Sequence, residues 1–179
     1  MSQYPASEFR KNSLLNLQFP YSILSKAYSD LRKRELKKIS NTNVEIKINN
    51  HLKENLTFWI GQWEKKSFFQ SSWKSILNQL IAHAEQQKRL YFLSVHQEDK
   101  IVGVSLFLLD FQRILYLGGT SVEKGVNTLM FDFIIRNFAE KVHYLDFEGS
   151  SIASIQRFYE SWGKLEFENY GIIKKGIGG

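Results

Sequence analysis

Between Leu90 and Gly119 the chain carries three β-rich runs separated by links too short for anything but hairpins. Leu90–His96 and Ile101–Leu109 are joined by Gln97-Glu98-Asp99-Lys100, and Ile114–Gly119 follows across Phe111-Gln112-Arg113. Parallel neighbours need a crossover of roughly a dozen residues, so these links predict an antiparallel meander. The middle run, IVGVSLFLL, is apolar almost throughout, which predicts a strand covered on both faces. The rest of the chain must supply that cover.

The flanking segments have the patterns to do so. Val44–Ile48 alternates V-E-I-K-I and reads as a half-buried strand. Residues 51–63 and 71–88 read as amphipathic helices, marked by Phe58, Trp59 and Trp63 in the first and by Trp73, Ile76, Leu77, Leu80, Ile81 and Ala84 in the second. After the meander come a helix over Val126–Lys141, a strand over Val142–Phe147, a helix over Ser151–Trp162 and a strand or hairpin over Leu165–Lys174. At the other end, residues 1–12 read as a mobile lead-in and Ser13–Phe19 as a short strand. Ser22, after Pro20, is placed to cap a helix running to about Ile39, with Ile23, Leu24, Ala27, Tyr28 and Leu31 as its buried stripe. Lys26, Lys33 and Lys37 fall on the opposite face, flanked by Arg32, Arg34 and Lys38. This order predicts an α/β (α+β) protein, a mixed sheet with helices on its faces.

Composition narrows the class. At 179 residues the chain buries enough surface to fold without staples. It has no cysteine, which excludes disulfides, thiol nucleophiles and Cys-based zinc sites and fits a reducing cytoplasm. No apolar run is long enough to span a membrane, and no secretory leader pattern is present. The net charge is +6. Residues 1–40 hold eight Lys/Arg against three Asp/Glu, so nearly all the excess sits there and the remainder is close to neutral. The expected division is a lead-in with a basic helix over 1–40 and the main domain over 41–179.

Motifs for nucleotide hydrolysis, dinucleotide binding and serine hydrolysis are missing. His51, His83, His96 and His143 lack metal-ligand spacing, so no metal site is expected. The informative stretch is 114–163. Gly118, Gly119 and Thr120 end a strand, and Gly125, Val126, Asn127 and Thr128 open a helix. Backbone N–H groups there suit a phosphate or carboxylate, although Asn127 or Thr128 as an ordinary cap explains the same residues. Asp146 and Glu148 share one strand face by alternation and stand at a strand end, where α/β sheets bind ligands. The competing explanation is a helix cap by Ser150 or Ser151, with carboxylates answering the helix dipole. Tyr159, in Phe158-Tyr159-Glu160-Ser161-Trp162-Gly163, is either a packed aromatic or a proton donor.

Together these segments resemble the GNAT superfamily of acyl-CoA N-acyltransferases. FYESWG is similar to that family's aromatic-Tyr-Glu-x-x-Gly segment, and the resemblance implies a mixed, mainly antiparallel sheet with Tyr159 as the acid that protonates a departing thiolate. LDFEGSSIASIQRFYESWG and the basic AYSDLRKRELKKIS resemble the FemAB-like bacterial branch, whose members take an aminoacyl group from tRNA. The acyl-CoA pyrophosphate loop usually reads Gln/Arg-x-x-Gly-x-Gly/Ala. In Val122-Glu123-Lys124-Gly125-Val126-Asn127 only Gly125 matches, and Glu123 places a negative charge where a pyrophosphate would sit. That weighs against an ordinary acetyl-CoA donor. The resemblance spans about residues 13–174 and implies a C-terminal half-domain, completed by an upstream half or a second copy.

The resulting expectation is transfer of an acyl or aminoacyl group from a thioester or ester to a small amine or a cell-wall precursor. Glu148 takes the amine proton, Tyr159 protonates the leaving group and N–H groups near Gly118–Thr120 polarise the carbonyl. The carbonyl sits in a splayed gap between strands 114–119 and 142–147. Asp146 and Ser150 stand ready to touch substrate. The alternative is a non-catalytic half-domain that packs or binds, with Lys26, Lys33 and Lys37 meeting a polyanion such as aminoacyl-tRNA.

Overall fold

A computed structural model of the chain describes residues 8–65, 72–149 and 152–172. The meander forms as expected: β3 (Leu90–Gln97), β4 (Lys100–Asp110) and β5 (Arg113–Ser121) pair antiparallel in order. β2 (Val44–Ile48) adds to the outer edge of β3. β6 (Tyr144–Asp146) lies parallel to β5, and the sheet has seven strands in the order β2-β3-β4-β5-β6-β1-β7.

β1 departs from expectation. It runs Glu8–Asn16, so residues 8–12 are strand rather than lead-in, and it stops short of Phe19. It lies between β6 and β7 (Leu165–Ile172), antiparallel to both, with register pairs from Glu8↔Ile172 to Leu15↔Leu165. Partners more than 100 residues away hold this segment extended, so its own weak alternation carried little of the signal. The first seven residues lie outside the described residues.

The basic segment also differs. A continuous helix from Ser22 to Ile39 is expected, whereas the chain forms a short α1 (Tyr21–Leu24), a 3₁₀ turn (Ser25–Ala27) and α2 (Asp30–Ile39). Ser22 caps nothing; the residue before α1 is Pro20. Tyr28 and Ser29 are extended, and the Ser29 side chain accepts a 3.4 Å bond from the Arg32 N–H to start α2. The break lets the Ser29 N–H donate to the Ser161 carbonyl at 2.9 Å, and it sets Tyr28 edge-on to Trp162 at 4.9 Å. The expected stripe splits accordingly: Leu24 and Tyr28 are buried, whereas Ile23 and Leu31 are 51% and 45% exposed.

The helices cover both faces of β4. α3 (Leu52–Trp63) and α4 (Ser72–Gln86) lay Leu56, Trp59 and Ile81 on Phe92, Val104 and Leu106. α5 (Val126–Phe138) lays Met130, Phe131, Ile134 and Ile135 on Leu93, Phe107, Ile114 and Leu145 on the other side. A fully buried side chain of this kind contributes about 1.5–3 kcal/mol of apolar transfer. α6 (Ala153–Glu160) closes this second layer with Tyr159 and Trp162.

Candidate active-site cleft

β5 and β6 pair over only three positions, Arg113↔Tyr144, Ile114↔Leu145 and Leu115↔Asp146. β5 then continues to Ser121 while β6 ends. Two features hold the strands apart. In β5 the register jumps from Phe107↔Tyr116 to Leu106↔Gly118, which leaves Leu117 as a bulge residue. After β6 the chain turns through Glu148 and Gly149 at φ of 61° and 79°. The gap opens into a cleft of about 440 Å³.

The walls of this cleft are aromatic. Trp63, Tyr116, Phe131, Phe147, Phe158 and Tyr159 line it, beside Leu117, Gly118, Gly119, Asn127 and Glu148. Glycine is required at position 118, because its φ is +148° and a Cβ would stand 2.8 Å from the Trp59 ring. Position 119 faces Ser105 and the Val104 carbonyl so closely that a Cβ would lie 2.5 Å from each. These glycines bring α3 and β4 hard against the bulged strand.

Tyr159 is 6% exposed, its ring stacked on Phe147 at 4.4 Å between centroids. Burial, and secondarily the Glu148 charge, pushes its hydroxyl up to about 12, so it holds its proton at neutral pH. Glu148 stands at the mouth. Desolvation against the cleft wall, and then the nearby Asp146 charge, raises its carboxyl above the usual range, toward a useful base. The hydroxyl of the half-buried Tyr116 is likewise raised, by desolvation.

Asp146 does not share a free face with Glu148, because strand alternation stops at Asp146 and the chain turns. Its carboxylate is 2% exposed and engaged on both oxygens. Oδ2 accepts from Asn12 at 3.0 Å and from Arg113 at 3.3 Å, and Oδ1 accepts from the Glu148 N–H at 2.9 Å. It fixes the turn that presents Glu148 and, unlike Glu148, is not among the residues that line the cleft.

The expected anion loop is divided. Gly118, Gly119 and Asn127 line the cleft, whereas Thr120 sits in the ladder opposite Val104. Neither Asn127 nor Thr128 caps α5; the cap residue is Gly125, at φ 88° and without a side-chain bond. The Val126 side chain is in the core. The Thr128 hydroxyl accepts from Arg32 and donates to Glu35, both at 2.5 Å. Arg32, expected to flank the exposed helix face, is therefore 8% exposed, ion-paired to Glu35 at 2.8 Å and set over the Phe158 ring at 4.8 Å. By helix geometry the first-turn N–H groups of Asn127 and Thr128 have no acceptor within α5. Gly125 borders a separate depression of about 310 Å³ with Leu31, Arg34, Glu35, Lys38 and Lys124. Lys26, Lys33 and Lys37 are exposed and do not line the cleft. Ser150 lies outside the described residues. Among the described residues, no group of three or more metal-ligating side chains converges.

The bulge at Leu117, the buried Arg32 and most of the aromatic lining were not anticipated from the sequence. The lining residues come from α3, β5, α5, α6 and the turn after β6, and no local pattern joins them.

No family model and no curated protein matches the chain by sequence. Its fold, however, is that of known structures. The crystal structure of FemX superposes at a TM-score of 0.73 with 10% identity, over 97% of this chain and 64% of that one. A conserved protein of unknown function from Bacteroides thetaiotaomicron VPI-5482 superposes at 0.67 with 13% identity, over 94% and 62%. The C-terminal domain of a protein assigned as a lysylphosphatidylglycerol synthetase from Agrobacterium fabrum superposes at 0.61 with 8% identity, over 94% and 62%. The architecture is the GNAT-like fold that these structures share. The chain spans about 62–64% of the length of these structures.

Proposed function

We propose that the cleft is the active site of an acyl or aminoacyl transferase of the GNAT and FemAB-like type. The observation that carries this reading is the convergence of a protonated Tyr159 and a raised-pKa Glu148 on one cleft, beside the bulged, glycine-lined end of β5. The likeness to FemX and to the lysylphosphatidylglycerol synthetase domain supports a transferase scaffold.

In the proposed reaction the acceptor nitrogen attacks the carbonyl carbon of a thioester or aminoacyl ester, forming the new C–N bond. Glu148 accepts a proton from that nitrogen. The backbone N–H of Gly119, which strand alternation turns away from β4, stabilises the developing oxyanion. As the C–S or C–O bond breaks, Tyr159 donates its proton to the departing thiolate or alkoxide. Aminoacyl-tRNA fits as donor better than acyl-CoA, since the Val122–Asn127 loop keeps only Gly125 of the pyrophosphate pattern and carries Glu123. A small amine or an amine-bearing cell-wall precursor serves as acceptor.

A second reading is favoured by the depth of Tyr159 and its stacking on Phe147: a non-catalytic half-domain that uses the cleft for packing or binding. Mass spectrometry of acyl transfer from aminoacyl-tRNA and acyl-CoA pools to amine acceptors separates the two. The transferase reading expects product, reduced on the order of 10²–10⁴-fold in Tyr159→Phe. Undiminished turnover in that variant removes Tyr159 from the chemistry, and no product from any donor supports the binding module.

A further inference from the structure

We propose that the outward face of the segment from Phe19 to Lys38 docks the protein on an anionic lipid bilayer surface, independently of what the cleft does. Two observations coincide on this face. The first is charge. Lys26, Lys33, Arg34, Lys37 and Lys38 are all exposed, and Lys124 joins them from the loop before α5, where it shares a depression with Leu31, Arg34 and Lys38. The acidic residues of the segment are Asp30 and Glu35, and Glu35 is neutralised by Arg32.

The second is apolar exposure interleaved with that charge. Phe19 and Ile23 are each 51% exposed and Leu31 is 45% exposed. At 100° per residue, Arg34 and Lys37 stand opposite the side of α2 that holds Arg32, Leu36 and Ile39 against the core, with Leu31 and Lys38 beside them. An isolated exposed leucine on a soluble domain needs no explanation. Three large exposed apolar side chains along the segment that carries the excess charge, with Leu31 beside Arg34, Lys38 and Lys124, give it the composition of an interfacial element: cations for lipid phosphates and apolar side chains for the headgroup–acyl boundary.

The segment is also held firmly enough to present that face. The Tyr21 and Tyr28 hydroxyls donate to the buried Asp132 at 2.7 and 3.1 Å, and Arg136 stacks over the Tyr21 ring at 4.7 Å. The Lys33 ammonium donates to the Lys26 carbonyl at 2.8 Å across the helix break. Nucleic acid would use the cations through its phosphates, but would leave Ile23 and Leu31 without a role. That difference decides between the two partners.

The test is co-sedimentation of the full chain with vesicles of phosphatidylglycerol and phosphatidylcholine, with pure phosphatidylcholine vesicles and a tRNA pool as comparison arms. Binding to the anionic vesicles is expected to be at least about tenfold tighter than to the neutral ones and to weaken with salt. Each cation near such a surface contributes about a fivefold factor, so Arg34→Gln with Lys38→Gln should weaken binding roughly 25-fold. Ile23→Ser with Leu31→Ser should weaken vesicle binding several-fold and leave tRNA binding unchanged. Lys88→Gln with Lys100→Gln, exposed but elsewhere, should change nothing. Circular dichroism and melting curves confirm that each variant folds. No preference for anionic vesicles, equal losses from the control pair, or vesicle binding that the Ile23 and Leu31 changes leave intact while the tRNA pool binds would each overturn the proposal, the last in favour of nucleic acid.

Discussion

Replacing Gly118 by alanine tests the packing that opens the cleft. The backbone at 118 has φ +148°, and an added Cβ would lie 2.8 Å from the Trp59 ring and 3.4 Å from that of Trp63. Trp59 is 1% exposed and stacked edge-on to Phe92 at 5.9 Å, so it has nowhere to retreat. Placing a side chain at such a φ costs about 1–3 kcal/mol. Overpacking a filled core costs about 1–3 kcal/mol more. The sum, about 2–6 kcal/mol, corresponds to a fall in Tm of very roughly 5–20 °C for a chain of this size. Gly61 is the internal control: it lies within α3 with nothing within 4 Å of an added Cβ. There alanine should stabilise by about 0.5–1 kcal/mol, because it restricts the unfolded chain and favours helix. Urea and thermal unfolding followed by tryptophan fluorescence read both variants. Opposite signs are expected; a Gly118→Ala protein as stable as wild type would refute the contact of α3 with the bulged strand.

Removing the Asp146 carboxylate should cost about 2 kcal/mol in urea unfolding, since Asp146→Ala leaves the buried Asn12 amide and the Glu148 N–H without their acceptor, while Arg113 keeps its pair with Glu168. The Tyr159 hydroxyl is raised from an unfolded value of 10.0 to about 12, so the folded state holds this proton more tightly. Its contribution to stability is complete below pH 10 and is lost as pH rises toward 12; the alkaline fall should be shallower in Tyr159→Phe, and ultraviolet titration of that variant should lack one late-ionising tyrosine. Glu148 is raised as well, so its favourable contribution is present only in acid and its ionised form is a burden at neutral pH. Glu148→Gln should therefore melt at or above the wild-type temperature at pH 7, even where transfer is lost; a clear drop in Tm would contradict the assigned desolvation.

What the sequence made legible follows from locality. The meander at 90–119 is written in short links and unbroken apolar runs, and the observed strands extend the expected ones by only a residue or two. The helical stripe on α3 is likewise local: Trp59 is buried, with Phe58 and Trp63 packed beside it. β1 was obscure because its partners, β6 and β7, stand at the far end of the chain. The break at Tyr28–Ser29 was obscure because Ser22 and Ser29 are both competent caps, and the choice is made by a bond to the Ser161 carbonyl. Arg32 looked like any other cation of a basic helix until Thr128, Glu35 and Phe158 enclosed it. Within the cleft, Glu148 and Tyr159 were legible from the run between Asp146 and Gly163. The role of Asp146 was not, because strand alternation predicts a shared face that a left-handed residue at 148 abolishes.

The most direct test of the central claim is a double-mutant cycle on transfer rate, using wild type, Glu148→Gln, Tyr159→Phe and the double variant with the donor and acceptor that give product. If both side chains serve one transition state in this cleft, each single change should lower turnover on the order of 10²–10⁴-fold, and the double variant should lose much less than the product of the two. Wild-type turnover in either single variant would contradict the claim that this pair carries the reaction.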